Sequence, residues 1–479
     1  MLFKRPLCRA LLLCMIAGGA ACLPNIEAHA QSQKSKSAVS PQKSKSAAKP
    51  ASKSARSTSR AGAAAPKPAN RSKVAAAAAS AAVAGAGAAA VSAKPPVANT
   101  AEARLLSVIE LVKREELDAA LRAAAQLTTD VPNFRAAQLV YADLLRFKTG
   151  RMTGWVNAPA SEVTELLAKN AAVDQATLAP AHELQQQAHG LQKELQRRVH
   201  AYGVLPAAGS VPREFLQLSA SVRHAVAVDA SKSRLYLFAH ENGKLRLIRD
   251  FYVSIGKFGM DKSLEGDQRT PQGVYFIGRQ IPGPRLPEFY GKGALTLNYP
   301  NDWDRSVNRS GDGIWLHGSP PDQFARLPEA SDGCIVLANP DLILLMQTLN
   351  TQTPVLIRDK LQWAAAPERA QAKAGDSFAR VLDGWQQAWK SADQQKLEKM
   401  YVGAPAAERF PKARLTEFFR FADTGVQDLS VYAWKDRLGE IRIVDMRIGS
   451  RQAGRTLPLR QYWRKVGERW EVFSEEVRG

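Results

Sequence analysis

The order of apolar and polar positions changes character along this chain. From Ala101 to about Tyr202 the apolar residues recur at helical spacing. In "AEARLLSVIELVKR", Leu105, Val108, Ile109 and Val112 fall at i, i+3, i+4 and i+7 and form one stripe. "EELDAALRAAAQLTTD" predicts a second helix, and "PNFRAAQLVYADLL" a third with Pro132 in its first turn. Glycine and proline in "YGVLPAAGSVPREF" end that pattern, and alternation of β type follows. "HAVAVDASKSRLYLFAHENGKLRLIRDFYVSIG" contains three strand-like runs, with "HENGK" as the hairpin turn between the second and third. Further strands are expected in "TPQGVYFIGRQ" and in "GIWLHGS", the latter ending at His317. "NPDLILLMQTLN" reads as a short helix capped by Asn339, and "TPVLIRD" as a closing strand.

After "KLQWAAAPERAQAKAGD", a linker by composition, the pattern changes again. A helix carrying Phe378, Val381, Leu382, Trp385 and Trp389 on one face leads to strands in "LSVYAWKD", "EIRIVDMRIGS", "LRQYWRKV" and "RWEVFSEEV". One helix packed in a curved antiparallel sheet would bury these aromatics. This stretch resembles the nuclear transport factor 2 (NTF2)-like fold, with "YWRKVGERWEV" its most telling run. Such domains are often non-catalytic, and no acid–base pair stands out here. The helical region, through a small-residue helix followed by "PNFRA", resembles a tetratricopeptide-type pair, with one plausible unit and no clear period.

The first thirty residues have Lys4, Arg5 and Arg9, a short apolar stretch and "AHA" ending at Ala30, the pattern of a secretory signal cleaved there. The alternative is lipoprotein processing at "GAAC" with Cys22 acylated, although Gly19 stands where a larger aliphatic residue is expected. Residues 31–100 account for +12 of the formal net charge of +21 and residues 1–30 for another +2, leaving +7 over 101–479. The excess therefore sits in a tail of Ala, Ser, Lys and Pro that buries too little apolar surface to offset its ordering entropy. That location argues against nucleic acid as partner. It fits a disordered tether meeting an anionic membrane or wall polymer, or a solvated spacer. "VAAAAASAAVAGAGAAAV", Val74 to Val91, has no Leu, Ile or Phe and reads as linker, not as a membrane span.

Cleavage at Ala30 would remove Cys8, Cys14 and Cys22 and leave Cys334 as the only thiol, which cannot form an internal disulfide. In an oxidising compartment such a residue is either an inert core group or a reactive one. Seventeen positions before it, His317 closes an apolar strand, and the loop "SDG" ahead of Cys334 could expose backbone N–H groups. A strand-end histidine and a loop cysteine could meet across a cleft as a thiolate–imidazolium pair, lowering the cysteine's pKa. His182, His189 and His200 lack an acidic partner set and read as ordinary histidines, not metal ligands.

"HGSPPDQFARLPEASDGCIVL" resembles the L,D-transpeptidase (YkuD) signature, and "RTPQGVYFI", Arg269 to Ile277, resembles the Thr-Pro-x-Gly strand that precedes the active site in that family. The resemblance covers about Val222 to Asp359. It implies Cys334 as the acylated nucleophile and His317 as general base. It also implies Gly318 as the carbonyl that orients the base, and Ser331 and Gly333, with the Cys334 N–H, as the oxyanion loop. The implied reaction is acyl transfer on peptidoglycan stem peptides. The thiolate attacks the L,D-peptide bond after the third stem residue, releases the terminal D-Ala and passes the acyl group to an amine. No metal or organic cofactor is needed. The expected organisation is a signal (1–30), a basic linker (31–100), a helical region (101–205), a mostly-β catalytic domain (218–360), a linker (361–374) and an α+β NTF2-like domain (375–479). The helical and NTF2-like regions are the surfaces on which envelope proteins would dock.

Two residues depart from the family pattern. Asp332 stands where histidine is common, and its charge would raise the pKa of an adjacent thiol. Val336 stands where Arg or Asn is common, so a cation for the substrate carboxylate has to come from elsewhere, such as Arg285 or Arg305, or the substrate differs. Tyr299 and Trp315 are candidate groove residues, as are Tyr275 and Trp303, against the alternative that all are core. "RLPEAS" is a lid over the cleft or an ordinary loop. A same-fold hydrolase and a non-catalytic wall-binding scaffold are the alternatives to a transpeptidase.

Overall fold

A computed structural model describes residues 100–149, 175–365, 376–401, 425–450 and 455–478, all within one of the chain's two units. The export signal, Cys22 and the basic tail expected from the sequence lie outside these residues, as do 366–374 of the expected linker.

Three helices open the described chain: α1 (Ala101–Lys113), α2 (Leu117–Asp130) and α3 (Arg135–Lys148). Thr100 caps α1 through a hydrogen bond that its hydroxyl accepts from the Ala103 N–H at 3.1 Å. The stripe Leu105, Val108, Ile109 and Val112 is buried against Ala120, Ala124 and Leu127 of α2 and Ala137, Val140 and Leu144 of α3. Small alanines let the helices approach closely while the larger residues fill the seam. Helix α3 begins later than the pattern suggested, with Phe134 at its N-cap. Pro132 and Asn133 form a turn before it, which frees Asn133 for contacts elsewhere. A long helix, α4 (Gln175–Gly203), closes the group, and its buried Arg198 pairs with Glu194 and with Glu102 of α1, each at 2.8 Å.

The strands β1 (Val211–Pro212), β2 (Phe215–Gln217), β3 (His224–Asp229), β4 (Arg234–Glu241) and β5 (Lys244–Tyr252) follow, then β6 (Ile255–Gly256), β7 (Gly273–Pro282), β8 (Gly293–Leu297) and β9 (Trp315–His317). After these come β10 (Glu329–Ser331), β11 (Ile335–Val336) and β12 (Pro354–Arg358). Eight of them make a mixed sheet of order β11-β9-β8-β7-β12-β3-β4-β5, with β11/β9 and β12/β3 parallel. Positive φ at Asn242 and Gly243 makes the predicted hairpin turn between β4 and β5. Helix α5 (Asp302–Ser306) precedes β9, and α6 (Asn339–Thr348) follows β11. Asn339 is not the cap of α6 but its first residue. Its side chain instead donates to the Ser319 carbonyl at 2.8 Å and accepts from the Lys292 N–H at 2.9 Å.

Both faces of this sheet are covered, which is why β3 and β4 read as nearly unbroken apolar runs. One face carries Val226, Val228, Leu235, Leu237, Tyr275 and Leu316, packed on Leu342 and Leu345 of α6. The other carries Ala225, Ala227, Tyr236, Phe238, Val274, Phe276 and Leu356, packed on Tyr432, Trp434, Ile441, Ile443 and Tyr462 of a second sheet. That sheet is built from β14 (Val426–Asp436), β15 (Gly439–Ser450), β16 (Arg455–Val466) and β17 (Arg469–Val477), all antiparallel. Its far face holds α7 (Ser377–Lys390), which buries Phe378, Leu382, Trp385 and Trp389 as its periodicity predicts, and a short α8 (Gln394–Glu398) follows. The two sheets are also interleaved in sequence, because β2 pairs with β14 and extends the second sheet to five strands. Residues 361–365, expected as the start of a linker, instead carry β13 (Trp363–Ala364), paired with β1. Arg460 seals the contact: it lies 3.3 Å from the centroid of the Phe276 ring, pairs with Asp445 at 2.6 Å and donates to Gln352 at 3.0 Å.

Candidate active site

The parallel pairing of β9 with β11 sets Leu316 against Ile335 and His317 against Val336. Cys334 immediately precedes β11, so the loop that carries the thiol ends beside the strand that closes at His317. His317 is 1% exposed, and its Nδ1 lies 2.8 Å from the Gly318 carbonyl. A carbonyl only accepts, so Nδ1 carries the proton and Nε2 keeps its lone pair. Gly318 is fixed in turn, its N–H donating to the Tyr290 carbonyl at 3.1 Å. A side chain at Gly318 would put its first carbon 2.1 Å from Asn339 Oδ1.

The cysteine loop is equally constrained. Ser331 Oγ donates to the Cys334 carbonyl at 2.6 Å and accepts from the Gly333 N–H at 3.2 Å. Thr270, the threonine of the Thr-Pro-x-Gly run, accepts from the Gly256 N–H at 2.8 Å and donates to the Gly333 carbonyl at 2.9 Å. Gly333 adopts φ +120°, and a side chain there would meet the Arg269 carbonyl at 2.6 Å, so only glycine fits. Ser331 and Gly333 thus shape the loop ahead of Cys334, with the Gly333 N–H engaged by Ser331.

The ionisation state expected from the sequence also changes. Burial pushes the half-buried Cys334 thiol up, with Asp332 adding to the effect and the Trp315 N–H, Arg326 and Lys262 opposing it. Burial pulls His317 down to about 4, opposed by the Gly318 carbonyl and aided by Arg326. At rest the thiol is thus neutral, donating to the Gly313 carbonyl at 3.3 Å, and the imidazole is neutral too, in place of the expected ion pair. Asp332 is exposed and accepts from Gln268 at 3.0 Å.

Aromatic rings wall the site. Tyr290 stands edge-on to His317 at 4.9 Å and meets Trp315 at 5.1 Å, while Phe289 lies 5.9 Å from the imidazole. Trp315, a candidate groove residue, thus packs on the Tyr290 that borders His317. Phe289 and Tyr290 were missed, and the available signal was an aromatic pair in the Pro/Gly-bounded loop "PRLPEFYGKG". Tyr299 and Arg305 do not join it. Tyr299 is core, packed on Tyr275 with its hydroxyl donating to the Ser310 carbonyl at 3.1 Å. Arg305 pairs with Asp302 at 2.9 Å on α5, the helix whose Trp303 packs on Phe473 of the second sheet. Arg285 is exposed in a 3-10 turn, and Val336 is fully enclosed. Arg326 and Lys262 are the cations that act on Cys334, and the Arg326 guanidinium stacks 4.0 Å from the Phe289 ring. Among the described residues no cluster of His, Cys, Asp and Glu is arranged to hold a metal ion, and His189 and His200 are exposed.

Residues 223–357 match the family model of the L,D-transpeptidase catalytic domain, YkuD. No curated protein sequence matches the chain. Among solved structures, Bd1075 of Bdellovibrio bacteriovorus is 26% identical over 56% of this chain and 98% of its own, with a TM-score of 0.45. The helical cell shape determining protein Pgp2 of Campylobacter jejuni is 20% identical over 59% of this chain and 100% of its own, with a TM-score of 0.43. An L,D-transpeptidase of Stackebrandtia nassauensis is 17% identical over 36% of this chain and 67% of its own, with a TM-score of 0.24. Residues 223–357, which carry both His317 and Cys334, belong to the L,D-transpeptidase catalytic domain family.

Proposed function

We propose that the protein is an exported peptidoglycan L,D-transpeptidase in which Cys334 is the nucleophile and His317 the general base. The observation that carries this is the Nδ1 contact of His317 with the Gly318 carbonyl, which leaves Nε2 basic at the end of the strand that pairs with β11, directly after Cys334. The thiol is protonated at rest, so its proton passes to Nε2 as sulfur bonds to the carbonyl carbon of the third stem residue. The oxyanion then formed takes the Cys334 N–H as its donor from this loop, since the Gly333 N–H is engaged. Collapse breaks the C–N bond, the imidazolium gives its proton to the departing D-Ala amine, and a thioester remains. An acceptor amine, deprotonated by the same imidazole, attacks the thioester and regenerates the thiol.

In this reading Ser331 and Gly333 shape the loop, Trp315 and Tyr290 line the groove, and the C-terminal module, NTF2-like by its sequence, takes no part in the chemistry. Muropeptide profiling of cells expressing the wild-type or Cys334→Ala protein tests it. New 3-3 crosslinks that depend on Cys334 are expected. Freed stems without crosslinks would make water the acceptor, and an unchanged profile would leave a wall-binding scaffold.

A further inference from the structure

Arg326 is a buried guanidinium, 9% exposed, with no carboxylate among the described residues in ion-pair contact with it. Among the described residues its guanidinium makes one hydrogen bond, a long one from Nη1 to the Ala330 carbonyl at 3.4 Å, and Asp332 and Asp322 act on it electrostatically without a bond. Burying a charge without a partner is costly, and such a group persists where an anion completes it. Its position says which anion. It stacks on Phe289, whose ring lies 5.3 Å from Tyr290 and 5.9 Å from His317, so it borders the wall of the site. Arg326 and Cys334 also act on each other electrostatically. In the proposed reaction the leaving residue carries its free carboxylate on the carbon next to the scissile nitrogen. A guanidinium fork at the wall of the site matches that group in charge and shape.

The segment holding Arg326 is gripped from outside the catalytic domain. Asn133 donates through its side chain to the Pro321 carbonyl, and its own carbonyl accepts from the Phe324 N–H, both at 3.0 Å. Phe134 packs on Phe324 at 4.4 Å, and Leu327 sits against Gly190 of α4. Lys193 and Arg197 of α4 both pair with Glu329 at 2.6 Å. These contacts from the helical region fall on both sides of Arg326, and within the catalytic domain Tyr252 donates to the Arg326 carbonyl at 2.9 Å while β10 pairs with β6.

We propose that Arg326 reads the terminal carboxylate of the stem peptide, in place of the cation absent at Val336, and that the helical region positions it. This rests on the acyl-transfer reading above, but it can be tested without turnover. The Cys334→Ala protein is titrated by calorimetry with a synthetic tetrapeptide stem ending in D-Ala and with the same peptide as its C-terminal amide. The acid is expected to bind about ten- to a hundredfold more tightly, the range for hydrogen bonds to a charged group. Arg326→Gln in that background should erase the ratio, Arg326→Lys should keep part of it, and Asn133→Ala with Phe324→Ala should lower it through weaker binding of the acid. Equal affinity for acid and amide, a ratio that survives Arg326→Gln, or no binding of either peptide overturns the proposal. Arg326-dependent discrimination in a protein whose wild type never acylates Cys334 keeps this assignment and removes the acyl-transfer reading instead.

Discussion

Val336 is paired with His317 across parallel strands, and that register sets the end of the Cys334 loop beside the strand that closes at His317. Val336, one of the two residues that depart from the family pattern, thus sits at the pairing that joins the Cys334 loop to the His317 strand. An enclosed valine suits that task, since it packs between strands and leaves the charge to Arg326.

The neutral resting pair predicts the pH dependence of thiol reactivity. Because burial raises the Cys334 pKa, its alkylation by iodoacetamide should have a midpoint above about 8.5, the ordinary cysteine value. A midpoint well below that value would mean a resting ion pair.

His317 makes a second, thermodynamic prediction. Its pKa falls from 6.5 unfolded to about 4 folded, so between these values the unfolded chain binds the extra proton. Stability from this group is full above pH 6.5 and declines as pH falls to 4, by about 3 kcal/mol in all. Urea unfolding at both pH values should show that much less loss in His317→Gln, and an equal loss would contradict the assignment.

Gly333→Ala should destabilise the protein by about 1–3 kcal/mol, because a left-handed backbone and the Arg269 carbonyl both oppose a side chain. Acylation of Cys334 should fall more steeply than stability, since the loop that aims the thiol must move. Thermal unfolding and thioester formation, measured on one preparation, separate the two effects.

Arg460→Ala removes one partner of a buried ion pair at the contact between the two sheets and should cost about 3–5 kcal/mol. Since the sheets share one apolar core, the loss should appear in a single unfolding transition followed by tryptophan fluorescence and by circular dichroism. Two separated transitions would show that the sheets are independent.

Much of this site was legible in the sequence because its chemistry is local. His317 ends a recognisable strand, Cys334 follows a glycine in a loop, and the hairpin at Asn242 and Gly243 follows from residues that tolerate positive φ. What escaped depends on tertiary contact. Arg326 and Tyr290 come from loops that approach the site only through folding; nothing in "QFARLP" distinguishes the arginine from a solvated one, and the aromatic pair in "PEFYGK" does not say which surface it meets. Tyr299 and Arg305 looked suitable by residue type, yet burial and the pairing with Asp302 remove them. The neutral thiol is invisible for the same reason, because burial sets it. Asn339 resembled a helix cap until the Ser319 carbonyl and the Lys292 N–H claimed its side chain.

The central claim, that Cys334 accepts the acyl group of a stem peptide, is tested most directly by intact-protein mass spectrometry after mixing with a tetrapeptide stem. The account predicts a thioester adduct equal to the stem minus D-Ala, mapped to Cys334, with D-Ala released and both signals absent from Cys334→Ala. No adduct and no D-Ala from the wild type, or D-Ala released as fast by Cys334→Ala, would contradict it.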